Sequence, residues 1–248
     1  MSTLVHQLRA EQRIFWRSRE AAVFIFIFPP MLFLLLGSVY DGEIDGQPAA
    51  DVLLAGLLGY GAANTGFAGL TIQLVIRRES GLLKRLRATP LPQWTYLSSV
   101  LLSTLAVYVL QTVVILALGR SLFDTHLPER WLSLGLVVLA VVAGFAGIGL
   151  GAASLIRSAE GSSAVVNVIL LPMAFLSGSF GPTDDYPEVL QAIGDVLPLK
   201  YAVDAIEAVY LDNEPIWEQW TSLAAVAAWG VAGLIVAARR FTWEPRER

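Results

Sequence analysis

Residues 77–92 read RRESGLLKRLRATPLP and hold five of the chain's seventeen Lys and Arg residues: Arg77, Arg78, Lys84, Arg85 and Arg87. Leu82, Leu83 and Leu86 recur at i, i+1 and i+4, so a helix through them carries one apolar face while Lys84 and Arg85 point away. Pro90 disfavours helical geometry at Thr89 and ends the run. The chemistry open to such a segment is recognition. It is either a short amphipathic helix that a second protein can grip, or a basic loop that only sets orientation in a membrane. Covalent chemistry has less to work with. The chain has no cysteine, hence no thiolate metal site, no disulfide framework and no cysteine nucleophile. Its two histidines, His6 and His126, lie outside the apolar runs, which excludes a Ser/His dyad or a His-rich zinc site at membrane depth. The nearest approach to the phosphate loop G-x-x-x-x-G-K-[ST] ends at Lys200, with Gly194 before it, Leu199 at the second glycine and Tyr201 at the Ser/Thr position. The chain is therefore expected to hold no cofactor and to hydrolyse no ATP by itself.

The elements that position this segment are apolar and long. Composition is 55% hydrophobic and only 15% charged, against roughly 25% charged for soluble domains. Six runs, 21–40, 52–76, 94–119, 132–156, 164–180 and 217–238, are long enough at about 1.5 Å per residue to cross a hydrocarbon core of about 30 Å. The fifth is the shortest and is expected to be a full or a broken span. The fold class is all-α: a polytopic membrane protein forming one domain over residues 1–248. With the N-terminus inside, fourteen of the seventeen Lys and Arg fall on the cytoplasmic side, and only Arg120, Arg130 and Lys200 fall outside. Basic residues are retained inside, so both termini and the 77–92 loop are expected to be cytoplasmic. Asp41, Glu43, Asp45 and Asp51 gather in the first outer loop, and eight more acidic residues between Asp184 and Glu214. The net charge of −4 conceals this asymmetry and points to no nucleic-acid partner. No cleavable signal is expected, because the first apolar run is too long for a signal core and lacks an A-x-A site.

Residues 1–20 form a second amphipathic element. Leu4, Val5, Leu8, Phe15 and Trp16 fall on one arc beside Arg9, Arg13 and Arg17, and Ile14 breaks the pattern. Such a helix lies in the headgroup plane against anionic lipid. Pro29, Pro30 and Pro172 remove backbone donors inside their runs and are expected to kink them. Ala143, Gly147 and Gly151 form one small-residue stripe, and Ala55, Gly59 and Ala63 another; such stripes pack helices within a bundle. Asn64, Thr65, Gln73, Gln111 and Asn167 lie at membrane depth and need a helix or a wet cavity to face. No Asp, Glu, Lys, Arg or His occupies the middle of a run, which disfavours a proton-coupled antiporter. In the 181–216 segment Val189, Leu190, Ile193, Val196 and Leu197 form an apolar stripe, and 201–210 reads as a second amphipathic stretch with Asp204 and Glu207.

E-x-G-x-L-K-R-L-R-A-T-P-L-P, present as Glu79, Gly81, Leu83, Lys84, Arg85, Leu86, Arg87, Ala88, Thr89, Pro90, Leu91 and Pro92, resembles the cytoplasmic coupling segment of ABC-2 type transporter permeases. Residues 175–210, FLSGSFGPTDDYPEVLQAIGDVLPLKYAVDAIEAVY, are similar to that family's end piece. The resemblance implies an elbow helix over 1–20, a coupling helix through Glu79, Gly81, Leu82, Leu83, Lys84, Arg85, Leu86 and Arg87, and short outer helices over 181–216. It implies a separate ABC ATPase subunit that binds ATP and Mg, a second permease subunit, identical or not, and a plasma-membrane address. Six spans are half of the twelve-span assembly typical of the family. Because its second and fifth spans line the path, Asn64, Phe67, Asn167 and Phe175 become candidate cargo contacts. The implied function is ATP-driven export of hydrophobic or amphipathic cargo. The alternative is a stand-alone channel or secondary transporter whose basic loop sets topology alone. On the export reading the leucine face of 82–86 docks the ATPase, and Glu79 orders the arginines beside it.

Orientation is directly testable in a cysteine-free chain. A cysteine at Asp45 or Asp185 is expected to react with an impermeant thiol reagent in intact cells, and one at Lys84 is not. Labelling at position 84 would invert the topology.

Overall fold

A computed structural model describes residues 3–40, 42–44 and 46–244. Asp41, Asp45, Arg246 and Arg248 of the charge pattern above lie outside the described residues. The chain opens with α1 (Thr3–Arg17) and α2 (Arg19–Val39), followed by a hairpin of two short strands, β1 (Glu43–Ile44) and β2 (Gln47–Pro48). Glu43 pairs with Pro48 and Ile44 with Gln47, antiparallel. α3 (Ala49–Ala62) passes through a π-helical segment, Ala63–Gly69, directly into α4 (Leu70–Glu79). Then come α5 (Leu82–Arg87), α6 (Gln93–Leu122), α7 (Trp131–Leu155), α8 (Ala159–Leu176), α9 (Glu188–Gly194) and α10 (Pro198–Tyr210). A single 3-10 turn, Ile216–Gln219, leads into α11 (Trp220–Arg240).

Among the described residues, six helical stretches are long and apolar enough to cross a membrane: Ala22–Val39, Ala49–Glu79, Gln93–Leu122, Trp131–Leu155, Ala159–Leu176 and Ile216–Arg240. Each matches one run of the sequence. The fifth is an unbroken 18-residue helix rather than a partial span, and α2 and α8 continue through Pro29, Pro30 and Pro172 without interruption. The second is longer than expected at 31 residues, because it begins within the acidic loop and ends beyond Arg78.

The spans differ sharply in how much of each the chain itself covers. The apolar window of α3–α4 is 89% buried, that of α7 67%, and those of α2, α8 and α11 only 28%, 28% and 17%. α3–α4 is thus the enclosed centre, and α2, α8 and α11 are peripheral. Among the described residues, the main core joins Leu53, Leu57, Leu58, Tyr60 and Phe67 of this centre to Val137, Val141 and Phe145 of α7 and to Leu199, Val203 and Ile206 of α10.

Glycine sets the closest approaches. A Cβ at Gly147 would stand 2.5 Å from the Gly230 carbonyl oxygen, and one at Gly151 2.7 Å from that of Gly233. Only hydrogen fits there, so α7 and α11 meet backbone to backbone. Ala143, expected on this stripe, is exposed, and buried Gly144 takes its place against Val226. The other stripe serves a different partner: at Gly59 a Cβ would fall 2.7 Å from Val203, so α3 receives α10 rather than another span.

Gly147→Val should force the α7–α11 seam apart and destabilise the chain by about 1–3 kcal/mol. Gly135→Ala on the same helix, where a Cβ meets nothing within 4 Å, should change stability by no more than about 0.5 kcal/mol. Unfolding midpoints in detergent check this, and equal midpoints for the two variants would show that the seam does not hold the bundle.

Candidate functional site: a basic coupling helix on the central span

α4 ends at Glu79, and Gly81 adopts the left-handed conformation, φ +70. That single turn folds α5 back beneath the bundle. The sequence expectation placed Leu82, Leu83 and Leu86 together on the face offered to a partner. The structure corrects this for Leu83, whose side chain is fully buried among Leu70, Leu74, Val75, Tyr96, Val100, Ala146 and Leu150 of the chain itself. Leu86 is half-buried at the edge of that cluster, and Leu82 is half-buried outside it. Lys84, Arg85, Arg87, Ala88, Thr89 and Pro90 are exposed. The surface left exposed is therefore the basic flank, while Leu83 and Leu86 hold α5 to its own span.

Arg77 and Arg78 do not belong to that surface either. Arg77 is buried, and its Nη1 lies 2.7 Å from Glu11 Oε2 of α1 and donates to the Tyr96 hydroxyl of α6 at 3.0 Å. Arg78 is 1% exposed; its Nη1 donates to the Ala153 carbonyl at 2.8 Å and its Nη2 to that of Ile156. These are free carbonyls at the C-terminus of α7, where a cation is also favoured by the helix dipole. Glu79, expected to order the two arginines, reaches elsewhere: its carboxylate accepts from the backbone N–H of Ala159, in the first turn of α8. Ser158 Oγ accepts from the Gly161 N–H at 3.3 Å in the same turn. Four helices are thereby tied to the end of α4 through polar groups that hydrocarbon would not tolerate unpaired.

α1 packs on α6, with Gln12 Nε2 donating to Ser103 Oγ at 3.0 Å and Phe15 buried against Ile25 and Val107. Of the expected apolar arc, Leu4 and Leu8 are half-buried, while Val5 and Trp16 are exposed. Glu11 was missed. It is the one acidic residue of the helix and falls on the Leu4, Leu8 and Phe15 stripe, a position where a lone carboxylate among arginines needs a buried cation.

The four candidate cargo residues do not share one environment. Asn64 and Phe67 lie in the π segment, 1% and 3% exposed, enclosed by the chain's own helices. Beside them Thr65 Oγ1 donates to Gln111 Oε1 at 2.9 Å, and the Asn64 and Gln111 amide nitrogens have no hydrogen-bond partner among the described residues. Asn167 is half-buried on α8. Phe175 is exposed, edge-on to Phe180 at 5.0 Å, and Phe180 packs on Tyr60 at 5.2 Å.

At the opposite, acidic end, Asp51 is not a loop residue but sits in the first turn of α3, 3% exposed. It meets His126, in the loop between α6 and α7, and Tyr210 at the end of α10. None of the three was singled out for a role by spacing, since they lie far apart in the chain. Burial first, and the Asp51 carboxylate next, push the Tyr210 phenol well above its ordinary value, so it remains a donor. A cavity of about 310 Å³ opens next to them, lined among others by Gln47, Val52, Thr183, Lys200, Glu207 and Leu211. Burial draws the Lys200 ammonium down, but the Asp204 carboxylate 2.9 Å away, with Glu207 and Asp195 beyond, holds it above the usual lysine range. Of the 189–197 stripe, Val189, Leu190, Ile193 and Val196 are exposed, and Leu197 is half-buried against the main core.

The family model for ABC-2 type transporters matches residues 4–211, from α1 to the end of α10 and through α5. The putative transport permease YvfS of Bacillus subtilis (strain 168) is 25% identical over 227 residues, 91% of this chain and 92% of that protein. The putative transport permease ycf38 of Pyropia yezoensis is 29% identical over 230 residues, 87% of this chain and 75% of that one. The probable multidrug ABC transporter permease YbhR of Escherichia coli (strain K12) is 26% identical over 157 residues, 62% of this chain and 42% of its own length. Six apolar spans, a helix of exposed Lys84, Arg85 and Arg87 after the second, and a match over most of the length converge: this chain belongs to the ABC-2 type transporter family, as a multi-pass membrane subunit of an ABC transporter.

Proposed function

We propose that this chain is the permease subunit of an ATP-driven exporter, working in the plasma membrane with a separate ABC ATPase and a second permease subunit. Its termini and α5 face the cytoplasm, and hydrophobic or amphipathic cargo leaves on the acidic side. The observation that carries this reading is the mounting of α5. A short basic helix is exposed on one side and pinned on the other by Leu83, at the end of the most enclosed span. A loop needed only for topology requires the charges but not the pin. ATP and Mg belong to the partner. Drug cargo falls within the class, as the name of YbhR has it for that protein. α8 turns Val165, Val168, Ile169, Leu171 and Phe175 outward, so Asn167 and Phe175 are placed to meet cargo or the second subunit. Asn64 and Phe67 shape the interior that cargo pressure would deform.

Lys84→Glu with Arg85→Glu reverses the exposed flank without touching the core. It should weaken copurification with the ATPase by at least about tenfold, the change that ~1.4 kcal/mol makes in an equilibrium, and abolish ATP-driven transport at matched expression. Leu83→Asp should instead lower the yield of folded chain, because it buries a charge against α4 and α6. If the charge-reversed chain assembles and transports like the original, α5 is not the docking helix. ATP hydrolysis by the isolated chain would overturn the division of labour.

A further inference from the structure

Asp51, His126 and Tyr210 come from three segments and close on one oxygen. Asp51 Oδ1 accepts from the His126 backbone N–H at 3.1 Å and from the Tyr210 hydroxyl at 3.2 Å, and His126 Nδ1 lies 3.1 Å from it. The Tyr210 hydroxyl proton is shared with the His126 carbonyl at 2.8 Å. His126 Nε2 lies 2.7 Å from the Tyr210 carbonyl, which can only accept, so this nitrogen carries the hydrogen. The two rings stack at 4.4 Å, 19° from parallel. Packing alone does not require such a convergence. Leu199, Val203 and Ile206 already seat α10 on the core, and a carboxylate buried to 3% is costly unless its hydrogen bonds are complete.

The placement gives it a use. Asp51 stands at the head of α3, and α3–α4 is one continuous 31-residue helical run whose other end turns into α5. α10, which carries Tyr210, walls the cavity of about 310 Å³ through Lys200 and Glu207, and Leu211 follows directly. The facing wall includes Val52, the residue after Asp51. A displacement of α4 along its axis therefore arrives at a carboxylate bonded to a helix that lines this cavity together with α3 itself and the 177–184 segment. The run stays helical through the π segment between the two ends, so the ends remain connected.

We propose that Asp51, His126 and Tyr210 are positioning residues that form a latch, by which α3 holds α10 as a lid on the acidic face and moves it when α5 is pushed. The source of the push rests on the transport function proposed above; the latch itself does not. With Asp51 bonded, α10 stays against α3 and the cavity remains narrow. With the bonds broken, α10 is held by its apolar contacts alone and swings more often.

The test uses the isolated chain first. Leu211→Cys is half-buried at the cavity wall in a background without cysteine, and its labelling rate by a polar maleimide reports lid opening. Asp51→Ala should raise that rate about tenfold, equivalent to ~1.4 kcal/mol in the open population. Tyr210→Phe keeps the ring stack, loses only the hydroxyl, and should give a smaller rise; it carries the test alone if Asp51→Ala fails to accumulate. Leu83→Cys, fully buried at the far end, should stay protected in both backgrounds. No rise at position 211, or equal rises at 211 and 83, overturns the latch, the second because it marks general loosening. In the complex with the ATPase, latch variants should keep ATP hydrolysis while moving less cargo per ATP, and a parallel loss of both also overturns it. If the unmodified chain couples to no ATPase, the transport reading falls, and the labelling result still decides the latch.

Discussion

Everything in this bundle depends on enclosing α3–α4, a helix that begins at a buried carboxylate and ends at two buried guanidinium groups. Hydrocarbon supplies no hydrogen bonds, so each of these groups has to be satisfied by the chain itself. Arg77 takes Glu11 and Tyr96, Arg78 takes the carbonyls at the end of α7, and Asp51 takes His126 and Tyr210. The partners come from α1, α6, α7, α10 and the loop before α7. The fold is in this sense assembled around the polar ends of one helix, with glycine and aliphatic packing filling the space between. Removing one member of a buried pair leaves the other uncompensated, at a cost of about 3–5 kcal/mol, so these contacts act as a specification of the arrangement more than as a source of stability.

The number of spans, the class and the basic segment were legible in the sequence because they are one-dimensional signals. Length, hydropathy and the 79–92 string need no knowledge of neighbours. What escaped was every contact that joins distant positions. Glu11 looks like one acid among arginines until Arg77 is seen 2.7 Å away. Asp51 counts as loop charge until α3 is found to start at Ala49. The same holds within one segment: periodicity puts Leu82, Leu83 and Leu86 on a common face, but only the fold says which side is already occupied. Likewise the Ala143 stripe was off by one residue, since a helix of this hydrophobicity has small residues on several sides, and the true seam, Gly144, Gly147 and Gly151, is fixed by the glycines of α11.

The enclosure of α3–α4 also leaves polar groups in its interior. Asn64 and Phe67 are buried, and two amide nitrogens there lack partners among the described residues. An unpaired buried donor costs roughly 1–3 kcal/mol, so this interior region gains from any rearrangement that pairs them. It coincides with the π segment, where the helix is least regular. Unpaired polar groups in the middle of the central span thus contrast with the polar anchors at its two ends.

One glycine divides the basic string into two roles. Up to Glu79 the chain is α4, and its arginines point into the bundle; from Leu82 it is α5, and its Lys84, Arg85 and Arg87 point out. The reversal takes place at Gly81, φ +70, where a Cβ would meet no atom within 4 Å. Space is therefore not the reason for glycine there; backbone conformation is, because an L side chain in the left-handed region costs about 1–2 kcal/mol. Without that turn α4 would continue as a straight helix, Leu83 would leave its cluster, and the outward charges would lose their fixed position beneath the central span. The five basic residues that appear equivalent in sequence thus become two buried anchors and three exposed contacts through a single dihedral angle.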